Sequence, residues 1–202
     1  DLSGDRNAPT QYNLTLGRNV ISATSVRGDR EYVAIHLPSG SQLEQIILSS
    51  YDSSDEVAFI GMQQGITFTE VPTNANPGNL LGWAHFGPNK TPIGSDILDD
   101  MAAMTNTIGF TTPLASGDYV LWLQQTGVTT TTFALDLMVA PTVNRMAYNE
   151  ATMGDLSTDG TQPTTITLSL GGNIISGSTV RRDREYFNLN VPLGQEVEAI
   201  LL

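Results

Sequence analysis

The chain has 202 residues and no cysteine; 40% of it is apolar and 15% charged, and its net charge is −12 at pH 7. That composition is globular, not disordered, and its acidity argues against nucleic acid or an anionic membrane surface, both of which need basic patches. Without cysteine there are no disulfides and no thiolate metal sites, and no apolar run approaches the length of a membrane span.

Strand signals dominate from the start. Thr, Val, Ile, Tyr and Phe recur in short alternating runs broken by Gly, Pro, Asn and Asp. Strands are expected at 12–16, 19–26, 30–37, 43–50, 57–63, 66–69, 80–86, 107–111, 118–125 and 131–139. Residues 70–80 read as a long polar loop. The stretch Asp96–Met104 is the single helical candidate, one or two turns with acidic residues near its start. Tyr119, Leu121 and Leu123 share one face of their strand, as do Phe133, Leu135, Leu137 and Val139 of the next. Residues 141–154 open with Pro, lack alternation and read as a connector.

Residues 155–202 then repeat residues 1–48 without a gap, with 23 of the 48 aligned positions identical at a constant offset of 154. The chain is therefore expected to hold a complete unit at 1–140, a linker at 141–154 and the opening third of a second unit at 155–202. The two copies also show which face is buried. Val33, Ile35 and Leu37 become Phe187, Leu189 and Val191, whereas Ala34 and His36 both become Asn. A period-two strand with its odd positions inward explains the pattern. Ten short strands with almost no helix predict an all-β fold, an antiparallel β-sandwich or jelly roll.

The run "LGRNVISATSVRGDREYVAIHLPSG" and the later "LASGDYVLWLQQTGVTTTTFALDLMV" resemble the bacterial pre-peptidase C-terminal domain. The residues that carry the resemblance are Asp29, Glu31, Tyr32, Pro38, Gly40, Gly117, Tyr119 and Phe133. In the second copy they are Asp183, Glu185, Tyr186, Pro192 and Gly194. It covers roughly 12–48 and 108–139, and this unit is longer than the usual member, with the extra length around 65–107. Its "DLSxD…PT" opening looks like that of repeats in large secreted proteins of cyanobacteria and related bacteria. The resemblance implies a secreted, non-catalytic accessory domain that in some members binds calcium.

Catalytic chemistry has little to stand on. His36 falls on the outward face of a strand, and His85 lies between Trp83 and Phe86 in a packing context. There is no Gly-x-Ser-x-Gly elbow and no His-x-x-x-His. Calcium is the better chemical candidate, since it takes carboxylate and loop-carbonyl oxygens. Three acidic groups offer them: Asp1 and Asp5 with their copies Asp155 and Asp159, then Asp52, Asp55 and Glu56, then Asp96, Asp99 and Asp100. The bland alternative is that each Asp caps its own turn. Asp29–Tyr32 and Asp183–Tyr186 read as structural turn-to-strand steps. Trp83 and Trp122 are candidates for stacking on a sugar, against core packing as the plainer reading.

The second copy is expected to supply three or four strands and to end on apolar Ile200, Leu201 and Leu202, with no following partner in this chain. Such an edge is a template for strand addition, and a neighbouring subunit of a filament, a swapped twin or sequence downstream of Leu202 could cover it. Ile174, Val180, Tyr186, Phe187, Leu189, Val191 and Ile200–Leu202 are the expected assembly surface. The function expected from these readings is a non-catalytic extracellular or cell-surface structural protein. It would partner other copies of itself head to tail, in a filament or surface array. The alternative is a carbohydrate-binding accessory module of a secreted hydrolase, with a polysaccharide as partner.

Overall fold

The structure, a computed structural model, describes residues 2–142, 147–168, 173–180, 183–194 and 196–197. It divides into two compact units, Asp1–Ala140 and Pro141–Leu202. The first carries β1 (Thr10–Asn13), β2 (Gly17–Ser25), β3 (Glu31–Asp52), β4 (Ala58–Gln64), β5 (Gly82–Phe86), β6 (Leu114–Gln125) and β7 (Thr131–Pro141), with helix α1 (Ile97–Ala102). The strands run in the order β2-β7-β3-β6-β4-β5, and β1 adds to β3 in parallel.

Strand β3 makes the sandwich. The sequence predicts two strands here; the structure has one of 22 residues. Its register against β6 breaks between Leu37 and Gln42, at the Pro38-Ser39-Gly40-Ser41 step. Proline cannot donate to a ladder, and Gly40 takes a φ of 77° that a side chain would resist. The ladder must yield there. The first half of β3 lies between β1 and β6, whereas in the second half Ser49 Oγ donates to Ala134 O of β7 at 3.1 Å.

The inward faces follow the predicted alternation. Val33, Ile35, Leu37, Leu121, Leu123, Phe133, Leu135 and Leu137 are all within 1% of complete burial and belong to one core. Each such side chain contributes about 1.5–3 kcal/mol by leaving water.

The outer face of β6 departs from alternation, because Val120 and Trp122 are buried as well. The segment after β4 folds over them and inserts Phe68, which joins Tyr32, Leu80, Val120 and Trp122 in a second core. Hence the expected strand at 66–69 is absent. Phe68 N–H donates to Arg6 O and Thr69 N–H to Gln63 Oε1, so these amides go to a loop and a side chain, not to a ladder. Residues 107–111 also form no strand: only Ile108 and Gly109 donate back, to Leu80 and Leu81, and Gly109 has a φ of 84°. Helix α1 forms as predicted, its first turn capped where Leu98 N–H donates to Asp96 Oδ1.

The second unit holds β8 (Ala147–Asn149), a single turn α2 (Glu150–Met153), β9 (Thr164–Thr167), β10 (Ile174–Ser176) and β11 (Phe187–Asn190). Residues 147–153, within the stretch that reads as connector, are therefore ordered structure: β8 pairs in parallel with β10. Tyr148, Leu156 and Ile166 form its small core, with Ile175 and Leu189 packed against them.

The repeat is visible bond by bond. Strands β1 and β3 pair as Thr10↔Val33, and β9 and β11 as Thr164↔Phe187, both displaced by the sequence offset. Ser3 N–H donates to Thr10 Oγ1 at 2.8 Å, and Ser157 N–H to Thr164 Oγ1 at 2.9 Å. Tyr32 N–H donates to Ser3 O and Tyr186 N–H to Ser157 O, each at 2.8 Å.

Candidate metal centre

Among the described residues, one group of three acidic side chains could share an ion. Glu150, Asp155 and Glu185 place carboxylate oxygens within 4.8 Å of one another. All three belong to the second unit. Glu150 opens α2, Asp155 follows that helix, and Glu185 precedes β11.

Local structure explains how they meet. Asn149 caps α2, its Oδ1 accepting from Ala151 N–H at 3.0 Å, and this sets Glu150 in the first helical position. The Glu150 carboxylate then accepts from Leu156 N–H at 3.2 Å and Ser178 N–H at 2.6 Å, tying both segments to it. The backbone comes so close at Gly177 that a Cβ there would sit 2.9 Å from Glu150 Cδ. The matching position in the first copy is Ala23. A glycine stands where the carboxylate presses against the chain.

The electrostatics are opposed within the group. The amides of Ser178 and then Leu156 hold Glu150 below its ordinary carboxyl range. Desolvation, followed by the charges of Asp183, Glu150 and Asp155, pushes Glu185 up. Although Glu185 as a residue is half-exposed, both of its carboxylate oxygens are buried and unpartnered. Two acceptors without a donor, beside two other carboxylates, call for a cation or a proton. Oxygen-only donors fit a hard divalent ion, and three carboxylates supply part of its shell, the rest falling to water or backbone carbonyls.

The other acidic candidates do not converge. Asp5 and Asp159 each cap their own turn, Oδ1 accepting from Asn7 N–H at 2.9 Å and from Thr161 N–H at 2.8 Å. Asp1 lies outside the described residues. Asp55 Oδ2 accepts from Gln125 Nε2, Val128 N–H, and the backbone and hydroxyl of Thr129. Those donors occupy it as a latch on the β6–β7 turn, and the Thr129 bonds hold its carboxyl below the usual range. Glu56 accepts from Asn89 Nδ2, Asp96 caps α1 and Asp100 accepts from Thr91 Oγ1. Asp52 and Asp99 are exposed and join no such group. Of the nine described acidic residues expected to ligate, only Asp155 reaches the cluster. Glu150 and Glu185 were missed because one sits in apparent linker and the other reads as a turn charge. The recurrence of the second acid as Glu31 was the one sequence signal.

Trp122 offers a sugar no open face, since it is 7% exposed and packs against Phe59 and Phe68 at ring-centroid distances of 4.7 and 5.6 Å. Trp83 is half-buried on the outer face, stacked on Phe59 at 6.2 Å and edge-on to His85 at 5.5 Å. His36 is exposed and pairs with Asp118 across β3 and β6 at 2.7 Å.

The assembly candidates divide. Phe187 is 41% exposed, Ile174 43% and Val180 76%, whereas Tyr186, Leu189 and Val191 are half-buried. Ile200, Leu201 and Leu202 lie outside the described residues. No helix among the described residues is long and apolar enough to cross a membrane. No protein-family model, curated protein or solved structure matches the chain.

Proposed function

We propose that this is a non-catalytic extracellular structural protein whose tandem β-sandwich units assemble with other copies of the chain, in a filament or surface array. The observation that carries the reading is the contrast between Val33, fully buried in the first unit, and its counterpart Phe187, 41% exposed in the second. In the first unit β6 lies beside this strand. Among the described residues β11 pairs with β9 alone. A strand from another copy would add a ladder and a cover on this side of β11. The resemblance to pre-peptidase C-terminal domains and the acidic composition suit an extracellular setting.

Calcium is the ion proposed for Glu150, Asp155 and Glu185. Its role would be to hold α2 and the residues just after it against the turn before β11. Sedimentation velocity tests the assembly. The wild-type chain should form concentration-dependent oligomers that Phe187→Asp abolishes while keeping the wild-type circular dichroism spectrum. A wild-type chain that stays monomeric up to high micromolar concentration rules the proposal out.

A second reading, a carbohydrate-binding module, draws support from the Phe59–Trp83–His85 row on the outer face. Binding to neutral polysaccharide that Trp83→Ala removes would favour it.

A further inference from the structure

The inward face of the first sandwich ends in polar residues: Glu31 at 1% exposure, Gln125 at 1%, Ser25 and Thr131 at 0%. Most of their polar atoms are satisfied. Ser25 Oγ accepts from Gln125 N–H at 3.3 Å, Thr131 Oγ1 donates to Ser53 Oγ at 3.0 Å, and Gln125 Nε2 donates to Asp55 Oδ2 at 2.6 Å. Two buried acceptors have no donor, Glu31 Oε2 and Gln125 Oε1. An ionised Glu31 can only accept, so as a carboxylate it brings no hydrogen to a place already short of them, whereas the neutral acid brings one.

The charges around it make ionisation harder still. The negative charge of Asp29 raises the cost of ionising Glu31 further. Among the described residues, no basic side chain pairs with Glu31. Arg30 Nε donates to Gln124 on the outer face, and Arg6 Nη1 donates to Phe68 O and Thr69 O. The ion pairs among the described residues, Arg18–Asp136 and His36–Asp118, do not involve Glu31.

We infer that Glu31 is a built-in proton site, a carboxyl that the folded first unit holds as the neutral acid and that loosens the unit when it ionises. Burial first, then the charge of Asp29, raises this carboxyl from an ordinary 4.5 to about 7. Between those two values the folded chain binds more protons than the unfolded one. Stability therefore falls as pH rises through that window and is level on either side of it. The unit would be firmest in mildly acidic surroundings and would open most readily at alkaline pH.

Thermal melts of the full chain from pH 5 to pH 9, wild type beside Glu31→Gln, test this. The amide mimics the neutral acid. The wild-type first unit should melt several degrees lower at pH 8.5 than at pH 5.5, and the variant should lose most of that difference while matching or exceeding wild type at pH 8.5. Because the variant could pack poorly for other reasons, the Glu31 carboxyl carbon should also be titrated by NMR in the wild-type chain, with a midpoint near 7 expected. An ordinary midpoint near 4.5, or a pH slope that survives Glu31→Gln, overturns the inference. So does a wild-type alkaline loss that calcium chloride abolishes, which would make Glu31 a cation ligand and not a proton site.

Discussion

The two copies of the repeat share 23 of 48 aligned residues and several local hydrogen bonds, yet they bury their apolar faces very differently. Tyr32, Val33, Ile35 and Leu37 are at most 2% exposed, while their counterparts Tyr186, Phe187, Leu189 and Val191 are half-buried or exposed. The turns that start each copy are closed by neighbours a few residues apart, such as Ser3 with Thr10 and Ser157 with Thr164. Local sequence therefore suffices to form them. Burial of the strand that follows depends on β6 and β7, which lie more than eighty residues further along in the first unit. Secondary structure here is a local property, and the core is not.

Several experiments break or sharpen that contrast. The largest effect should come from Phe133→Ala, which empties a fully buried site in the first core and should cost about 3–5 kcal/mol in urea unfolding of that unit. Phe187→Ala in the second unit should cost less than about 1 kcal/mol in the unassembled chain, since the ring is already partly in water. Equal losses would mean that the two copies are covered alike.

Next comes the turn latch of the first unit. Asp55→Ala should lower the melting temperature of the first unit and leave the second unchanged. Because hydrogen bonds from Thr129 hold the Asp55 carboxyl below its ordinary value, its stabilisation is present at neutral pH and lost as pH falls through that lowered value. The variant should therefore show a shallower acid limb than wild type.

The second unit has its own device. Saturating calcium should raise its melting temperature, EGTA should reverse the gain, and Glu185→Gln should abolish it while leaving the first unit alone. A melting curve indifferent to EGTA removes the metal proposal. The smallest effect is expected from Arg18→Ala. Although that side chain makes two bonds to Asp136, it is exposed, and the variant should melt as wild type does.

How much of this was legible in the residues follows the same division. The alternation at Val33–Leu37 and Phe133–Val139 predicted the inward faces, and the helical stretch Asp96–Met104 predicted α1, though not that Asp96 caps it. Comparison of the copies separated inward from outward positions. The cover over β6 was hidden, because Phe68 is one aromatic in a polar loop and only the fold brings it onto Trp122. Joining two predicted strands into β3 was equally hidden, since Pro38 and Gly40 read as a turn and act as a bend within one strand. In the acidic cluster, Asp155 stood out as a repeated entry residue. Glu150 and Glu185 became its neighbours only when α2 and the turn before β11 folded together.

The assembly claim is tested most directly by amide hydrogen exchange across β11 as protein concentration rises. Phe187–Asn190 should exchange quickly when the chain is dilute and approach the protection of Val33–His36 when it is concentrated, as a strand from another copy closes the open side. Exchange at Phe187–Asn190 that does not change with concentration would contradict the account.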